Sequence, residues 1–465
     1  MSTSIEEFSP ALPSVIDQLR SAVAGSVHAP GTGGYDLAVA PFNLAAVHHP
    51  AAVVVASSAA DVAATVRIAR RVGKKIAVFA TGHGAAAATP DSIMINTSLL
   101  DNVVIDPQAK LATVGAGVRW QRVLDEATPH GLAALCGSAP DAGVVGVTLG
   151  GGMGPIARTM GFAADHVIEI EVVTGDGTLR RINASTDPDL FFAIRGGGAA
   201  FGIVTQITFR LFEIQTLHAG GLFFDIVDAA RVVHGWREWV QQIPESVSSS
   251  IAILNLPPLE DLPEPLRGRS VVHVRYAHVG DVENDDALVT YLRCLGTPIL
   301  DNLTEIMYAD IAAIHADPTD PLPVMERSVL LRELPVEAVD EFLAVASPSG
   351  GLPLILTEIR AMGGAMSRQP EVPNAVVGRD AAFNLFTLGP DVPDLHDVLP
   401  GALESVLGAM APYATGAALP GFAGEPTGEP AKRVMTGWSP ETLTRLVAIR
   451  DQYDPERIFA GAARW

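Results

Sequence analysis

In the first half of the chain, apolar positions switch between helical and extended spacing. Ser58–Gly73 reads SAADVAATVRIARRVG, with Val62, Val66, Ala69 and Val72 on one helical stripe. Ser58 is a good N-cap with Asp61 three residues on, and Gly73 is a natural stop. Lys75–Ala80 (KIAVFA) then reads as a buried strand, followed by short strands at Ile93–Asn96, Val103–Asp106 and Ala112–Ala116 and a helix over Gln121–Ala127. Val167–Thr174 and Thr178–Ile182, joined through Gly-Asp-Gly, have the pattern of a hairpin. Pro188–Ile194 reads as a short helix and Ile203–Leu211 as an alternating strand.

After about residue 213 the texture changes. Strands are predicted at 222–226, 249–254, 270–277, 353–361 and 381–388, and helices near 228–242, 283–295, 335–345, 398–411 and 440–453. Strands interleaved with longer helices predict a second, α+β domain with a large sheet. Residues 255–268 are too Pro-rich for regular structure.

Composition sharpens this picture. A chain of 465 residues, 48% hydrophobic, is too long for one ordinary core and implies two domains. The net charge of −21 argues against nucleic-acid and anionic-membrane partners. It does not exclude a dinucleotide, because backbone N–H groups hold phosphates without basic side chains. Two cysteines, Cys136 and Cys294, make no disulfide framework. With no signal-peptide pattern at the N-terminus and no long apolar run, a cytoplasmic location is expected. His48-His49 lacks a neighbouring carboxylate or cysteine cluster, so no metal site is expected.

Three glycine-rich segments stand out: Ala80–Ala88 (ATGHGAAAA), Gly137–Gly154 (GSAPDAGVVGVTLGGGMG) and Arg195–Thr205 (RGGGAAFGIVT). Small residues let backbone approach a ligand and turn N–H groups toward anionic oxygens. The G-x-G-x-x-G spacing fails at Gly82, Gly115, Gly150 and Gly196, leaving only a loose G/A match at Gly82, and no GK[ST] occurs. A dinucleotide site of another design is preferred over purely structural turns.

In order, these segments and YDPERIF at 453–459 resemble the FAD-linked oxidases of the berberine bridge enzyme-like group, in the vanillyl-alcohol oxidase/PCMH superfamily. The likeness is strong over residues 45–212, weak over 213–420, and returns near the C-terminus. It implies an α+β fold. A PCMH-type FAD-binding domain spans 1–212 (core about 45–212), an α/β substrate domain with a large antiparallel sheet spans 213–424, and 425–465 returns to the FAD-binding domain. Relatives read RSGGH after the first strand, with the histidine joined to the flavin; here Phe79-Ala80-Thr81-Gly82-His83 lacks the arginine but keeps the histidine. Relatives with a second bond read G-x-C-P, whereas Gly137-Ser138-Ala139-Pro140 has alanine there. The resemblance thus implies FAD held covalently through His83 only. Cofactor contacts are expected from Ala80, Thr81, Gly82, His83, Gly84 and Ala85, and from Pro140, Gly143, Val144, Gly146, Val147, Thr148, Gly151, Gly152 and Gly154. Ile203 and Val204 would meet the adenine half, and Val144 is a candidate for setting oxygen access. Two departures bear on activity: Ala460–Trp465 lacks the asparagines of the relatives' terminal motif, and Leu419-Pro420-Gly421-Phe422 stands in place of Y-x-N-F.

The resemblance implies hydride transfer from a small alcohol, amine, sugar or secondary metabolite to FAD, with molecular oxygen reoxidising it to give hydrogen peroxide. A dehydrogenase with another acceptor and a catalytically degenerate flavin-binding protein remain alternatives. Oxidation of an alcohol or amine needs a proton acceptor. On Leu354–Met362 (LILTEIRAM), alternation places Glu358 and Arg360 on one face. Glu358 is the first expectation for a base, with an ion pair to Arg360 as the alternative. Tyr308 is a second catalytic candidate and His315 a further one, and Arg360 and Asn384 are the expected substrate contacts.

Overall fold

The computed structural model describes residues 14–84, 87–280, 285–424 and 435–459. The N-terminal half holds two sheets. In the first, Ala52–Val55, Ser92–Asn96 and Lys75–Phe79 run parallel, and Ser26–His28 adds an antiparallel edge. Ala59–Arg71 covers this sheet: Ser58 caps it by accepting from Asp61 N, and Val62, Val66 and Ala69 are fully buried. The second sheet is antiparallel in the order Val103–Asp106, Leu111–Gly115, Ile203–Arg210, Val167–Val173, Leu179–Asn183. Its hairpin turns through Gly177 at φ +74°, a backbone that a glycine adopts without strain.

The C-terminal half is built on one eight-stranded antiparallel sheet. Its order is Leu300–Asp301, Thr216–Asp225, Ser270–His278, Val247–Asn255, Leu356–Ala361, Phe383–Pro390, Val324–Leu331, with Thr304–Met307 also paired to Thr216–Asp225. The two faces differ sharply. Ile251, Val274, Ile359 and Leu385 form one apolar row, packed beneath the helices Ala229–Val240, Val336–Ala346 and Leu399–Met410. The other face carries polar groups and turns toward the N-terminal half. Two smaller sheets in the N-terminal half, followed by a large antiparallel sheet with helices packed on one face, make the α+β fold that the sequence implied.

Several features were not read from the sequence, among them the strand Ala52–Val55 inside the first sheet. Val324–Leu331 forms an edge strand; Glu326 and Arg327 in its half-exposed first part hide the extended pattern of the buried Ser328–Leu331. The core of the N-terminal half also takes in Met362, Met366, Ala375–Val377 and Ala417–Leu419, all from the stretch assigned to the second domain. The chain therefore crosses back before residue 424. The helix Pro440–Tyr453 packs on Pro188–Gly197, and Ile76 N donates to Ile458 O at 2.7 Å, so the C-terminal segment lies on the N-terminal half.

Candidate active site

The strand Lys75–Phe79 delivers the loop that carries His83. Gly82 sits at φ +73°, where a Cβ would come within 2.7 Å of Pro41. The close turn therefore demands glycine. The His83 ring stacks on Phe42 with centroids 3.9 Å apart and planes 7° off parallel. Nδ1 is 2.9 Å from Thr81 Oγ1, while Nε2 is buried without a partner. Burial pushes its pKa down to about 4, helped by the Arg119 charge and opposed by Asp141. His83 is therefore a neutral imidazole at pH 7 with one committed and one free nitrogen.

The second glycine segment lies alongside. Val144 N donates to Val118 O, and a Cβ on Gly143 would be 3.6 Å from Thr81. The short helix Val144–Leu149 turns Gly146 and Val147 outward, and a Cβ on Gly146 would meet nothing within 4 Å. Gly84 is similarly open. Other expected contacts serve packing instead. Val144 is fully buried in the core, which removes it as an oxygen gate. Thr148 spends its hydroxyl on Val144 O within the helix. Gly151 and Gly152 have positive φ, and a Cβ on Gly154 would lie 1.9 Å from Cys136 O. Ile203 and Val204 point into two different cores, so only their backbone could meet a ligand. Ala80 is half-buried beside Gly143, and Pro140 O accepts from Gln121 N, so these two support the loops. Ala85 and Ala460–Trp465 lie outside the described residues.

Arg195, from the third glycine segment, is also structural. It is wholly buried and donates to the carbonyls of Phe191, Ala164, Val372 and Pro373. Cys136 is a buried free thiol whose pKa burial raises to about 12.

Across from these loops lies the polar face of the large sheet. Arg275, Ser250, Arg360 and Asn384 are cross-strand partners on four neighbouring strands. The adjacent row holds His273, Ala252, Glu358 and Phe386. Glu358 is fully buried and accepts from Arg275 Nη1 at 2.5 Å, Ser250 Oγ at 2.6 Å and Arg360 Nε at 2.8 Å. Although burial alone would raise its pKa, the two guanidiniums hold it well below the ordinary carboxylate range. Such a carboxylate is a poor proton acceptor, which counts against Glu358 as the base. The ion pair with Arg360 is present, and it is buried.

Tyr308 does not fit a catalytic role either. Its hydroxyl donates to Ala134 O at 2.7 Å inside the core, and burial pushes its pKa well above 10. Asn384 is fully buried; its Oδ1 accepts from Ser328 and its Nδ2 has no partner. Arg360 alone of the expected substrate contacts lines a cavity, of about 30 Å³, between the polar face and Met153–Arg158. Ser248, Arg275 and His315 line it too. His315 is buried and neutral, its pKa lowered to about 4 by burial and by the two arginines. Arg360 also lies over the Phe422 ring at 5.1 Å, and Gly421 N would be 3.2 Å from a Cβ on Gly150. The segment replacing Y-x-N-F thus joins the arginine cluster to the glycine run. Sequence reasoning missed Ser250 and Arg275. The signal was present in SVVHVRYAH at 270–278, where alternation puts His273 and Arg275 on the same face of a strand too apolar to be exposed.

The glycine-lined loops thus carry a neutral histidine with one unpartnered nitrogen, and the polar sheet face borders a cavity at Met153–Arg158. A family model described as an FAD-binding domain matches residues 50–183. The chain is 26% identical over 455 residues, covering 94% of this chain and 95% of the relative, to (R)-6-hydroxynicotine oxidase of Paenarthrobacter nicotinovorans. Among solved structures it is similar to the carbohydrate oxidase from Microdochium nivale (TM-score 0.81, 18% identity, 97% and 99% of the two chains). It is similar also to berberine-bridge-enzyme-like 1 of Physcomitrella patens (TM-score 0.81, 19% identity, 96% and 98%). The chain therefore shares the fold of these solved structures and is similar over nearly its whole length to an oxidase. Its residues fit the cofactor: the free Nε2 of His83 is an orphaned buried atom, and the backbone is open at Gly84 and at Gly146.

Proposed function

We propose that this protein is an oxidase of a small organic substrate that holds FAD through a single covalent link at His83, with molecular oxygen as final acceptor and hydrogen peroxide as product. The observation that carries the reading is the His83 ring. Phe42 and Thr81 fix its plane, its charge is suppressed, and one nitrogen is left without a partner. When bound, FAD supplies the two-electron acceptor for a substrate C–H. The chain supplies the rest. Thr81 commits Nδ1, so that Nε2 is the atom assigned to the link. Gly84 and Gly146 leave room for a flat ring system, and the polar sheet face orients the substrate. Ala139 offers no second attachment point.

The experiment is an absorbance scan of the holoprotein followed by acid precipitation. A flavin spectrum with a yellow pellet, and a colourless pellet from His83→Ala, is the expected result. A colourless wild-type pellet would refute the covalent link. Anaerobic reduction followed by air tests the acceptor, since reoxidation taking minutes or longer would reject the oxidase assignment.

A further inference from the structure

We propose that the cavity between Met153–Arg158 and the large sheet is a carboxylate-binding subsite, and that the substrate is an organic acid whose carboxylate lies against Arg360 and Arg275. This deepens, and rests on, the reading of the protein as a flavin oxidoreductase whose substrate meets the polar sheet face.

Charge comes first. Arg158, Arg275 and Arg360 line the cavity. The carboxylate touching the latter two is Glu358, and the one nearest Arg158 in effect is Glu245, which is itself bonded to Arg368. His273 and His315 are held neutral by burial and by the same guanidiniums. The cluster thus carries more positive than negative charge in a site largely shut off from water. An unbalanced buried charge is costly. An incoming anion removes that imbalance, whereas a neutral ligand leaves it.

Donor capacity points the same way. A guanidinium has five N–H donors. Arg360 uses only Nε on the protein, and Arg275 uses Nε on His273 and Nη1 on Glu358. Arg360 is held by Glu358 and the Phe422 ring, and Arg275 by Glu358 and His273, so their remaining N–H groups are fixed in direction. Pre-oriented guanidinium forks match a carboxylate bidentately. Two further polar side chains on the cavity wall lack partners. Ser248 Oγ is unsatisfied in a residue only 9% exposed, and His315 Nδ1 is unsatisfied in one 7% exposed. His315 Nε2 stands 3.6 Å from Glu358 Oε1, beyond hydrogen-bond reach. Buried polar atoms are normally paired, and the unpartnered Ser248 and His315 beside the uncommitted N–H groups of Arg275 and Arg360 mark the outline of an acceptor that is not part of the chain. At about 30 Å³ the cavity takes a head group rather than a whole substrate. The rest of the molecule then extends toward Phe422 and the glycine run.

The test is calorimetric titration of the flavin-loaded protein with benzoate, phenylacetate and hexanoate, each against its primary amide, which has the same shape without the charge. At least one acid is expected to bind ten-fold or more tightly than its amide. Arg360→Gln is expected to weaken acid binding at least ten-fold and so abolish that preference. Ser248→Ala removes an unpartnered hydroxyl and so does not burden folding; it should weaken the preferred acid at least two-fold. If Arg360→Gln is insoluble, the Ser248→Ala result decides. Equal binding of every acid and amide, no binding of any acid, or a preference that survives the substitution would overturn the proposal. The flavin spectrum of the same samples separates the two failures. Protein without flavin sinks the oxidoreductase reading, whereas flavin-loaded protein indifferent to charge sinks only the carboxylate subsite.

Discussion

Replacing Glu358 by glutamine separates a charge anchor from a catalytic base. Glutamine keeps the volume and can still accept from Ser250, but it leaves Arg275 and Arg360 facing each other in a buried site. Removing one partner of a buried ion pair costs about 3–5 kcal/mol. With an unfolding entropy of about 2.1 cal/mol/K per residue, a chain of 465 residues has about 1 kcal/mol/K in all. Glu358→Gln should therefore lower Tm by about 3–5 °C if the whole chain melts cooperatively, and by about twice that if the second domain melts alone. The pH dependence has a definite sign. Because the folded pKa lies well below the ordinary 4.5, the stabilisation is complete above that value and is lost as pH falls through the folded pKa. The gap between wild type and variant should be flat from about pH 5.5 to 8 and close only in acid. Thermal melts followed by circular dichroism at several pH values measure it. Equal Tm at pH 7, or a gap already closing between pH 6 and 7, would refute the reasoning. A base would behave differently, losing turnover at unchanged Tm.

Tyr308→Phe should cost about 1–2 kcal/mol, because Ala134 O loses its buried donor. Turnover should stay within about two-fold of wild type, well short of the loss expected for a general acid–base group, and a loss beyond ten-fold would restore Tyr308 as a catalytic candidate. Native protein should react with a thiol reagent at Cys294, which is exposed, and not at Cys136, whose thiol is buried and raised to about 12. Denaturation should release the second equivalent, and mass mapping of Cys136 labelling in the native state would contradict the buried assignment.

The sequence was most legible where local chemistry and tertiary packing agree. Ser58–Gly73 shows its cap and stripe in the residues themselves, and the helix runs Ala59–Arg71. Pro440–Tyr453 was legible for the same reason: Ser439 caps it by accepting from Thr442 N, and Pro440 opens it. The candidate site was half legible. His83 stood out because it lies between glycines after a strand. Which glycines face a ligand and which meet backbone, as Gly154 meets Cys136 O, depends on chain segments far apart in sequence. Glu358 illustrates the same limit more strongly. Its own strand shows Arg360, two residues away, but Arg275 and Ser250 arrive through sheet register from strands about 80 and 100 residues earlier. The register turns an ambiguous ion pair into a carboxylate outnumbered by guanidiniums, and so removes the base that alternation alone suggested.

That inversion also changes how the overall charge should be read. A net charge of −21 repels anions at long range, which is why polyanionic partners are not expected. Screening limits this field to roughly 8–10 Å in physiological salt. At the cavity Arg158, Arg275 and Arg360 outnumber Glu358, at short range and away from water, where each interaction is several-fold stronger than at the surface. Global charge and local charge therefore select at different stages. The acidic exterior disfavours large anions that would have to lie along it, while a small acid carries one charge past that barrier and meets an excess of positive charge at the end. A neutral substrate would cross more easily but would leave the arginine cluster uncompensated, and this asymmetry is what makes the arginine row of the sheet, rather than the flavin loops, the part of the molecule that sets substrate class.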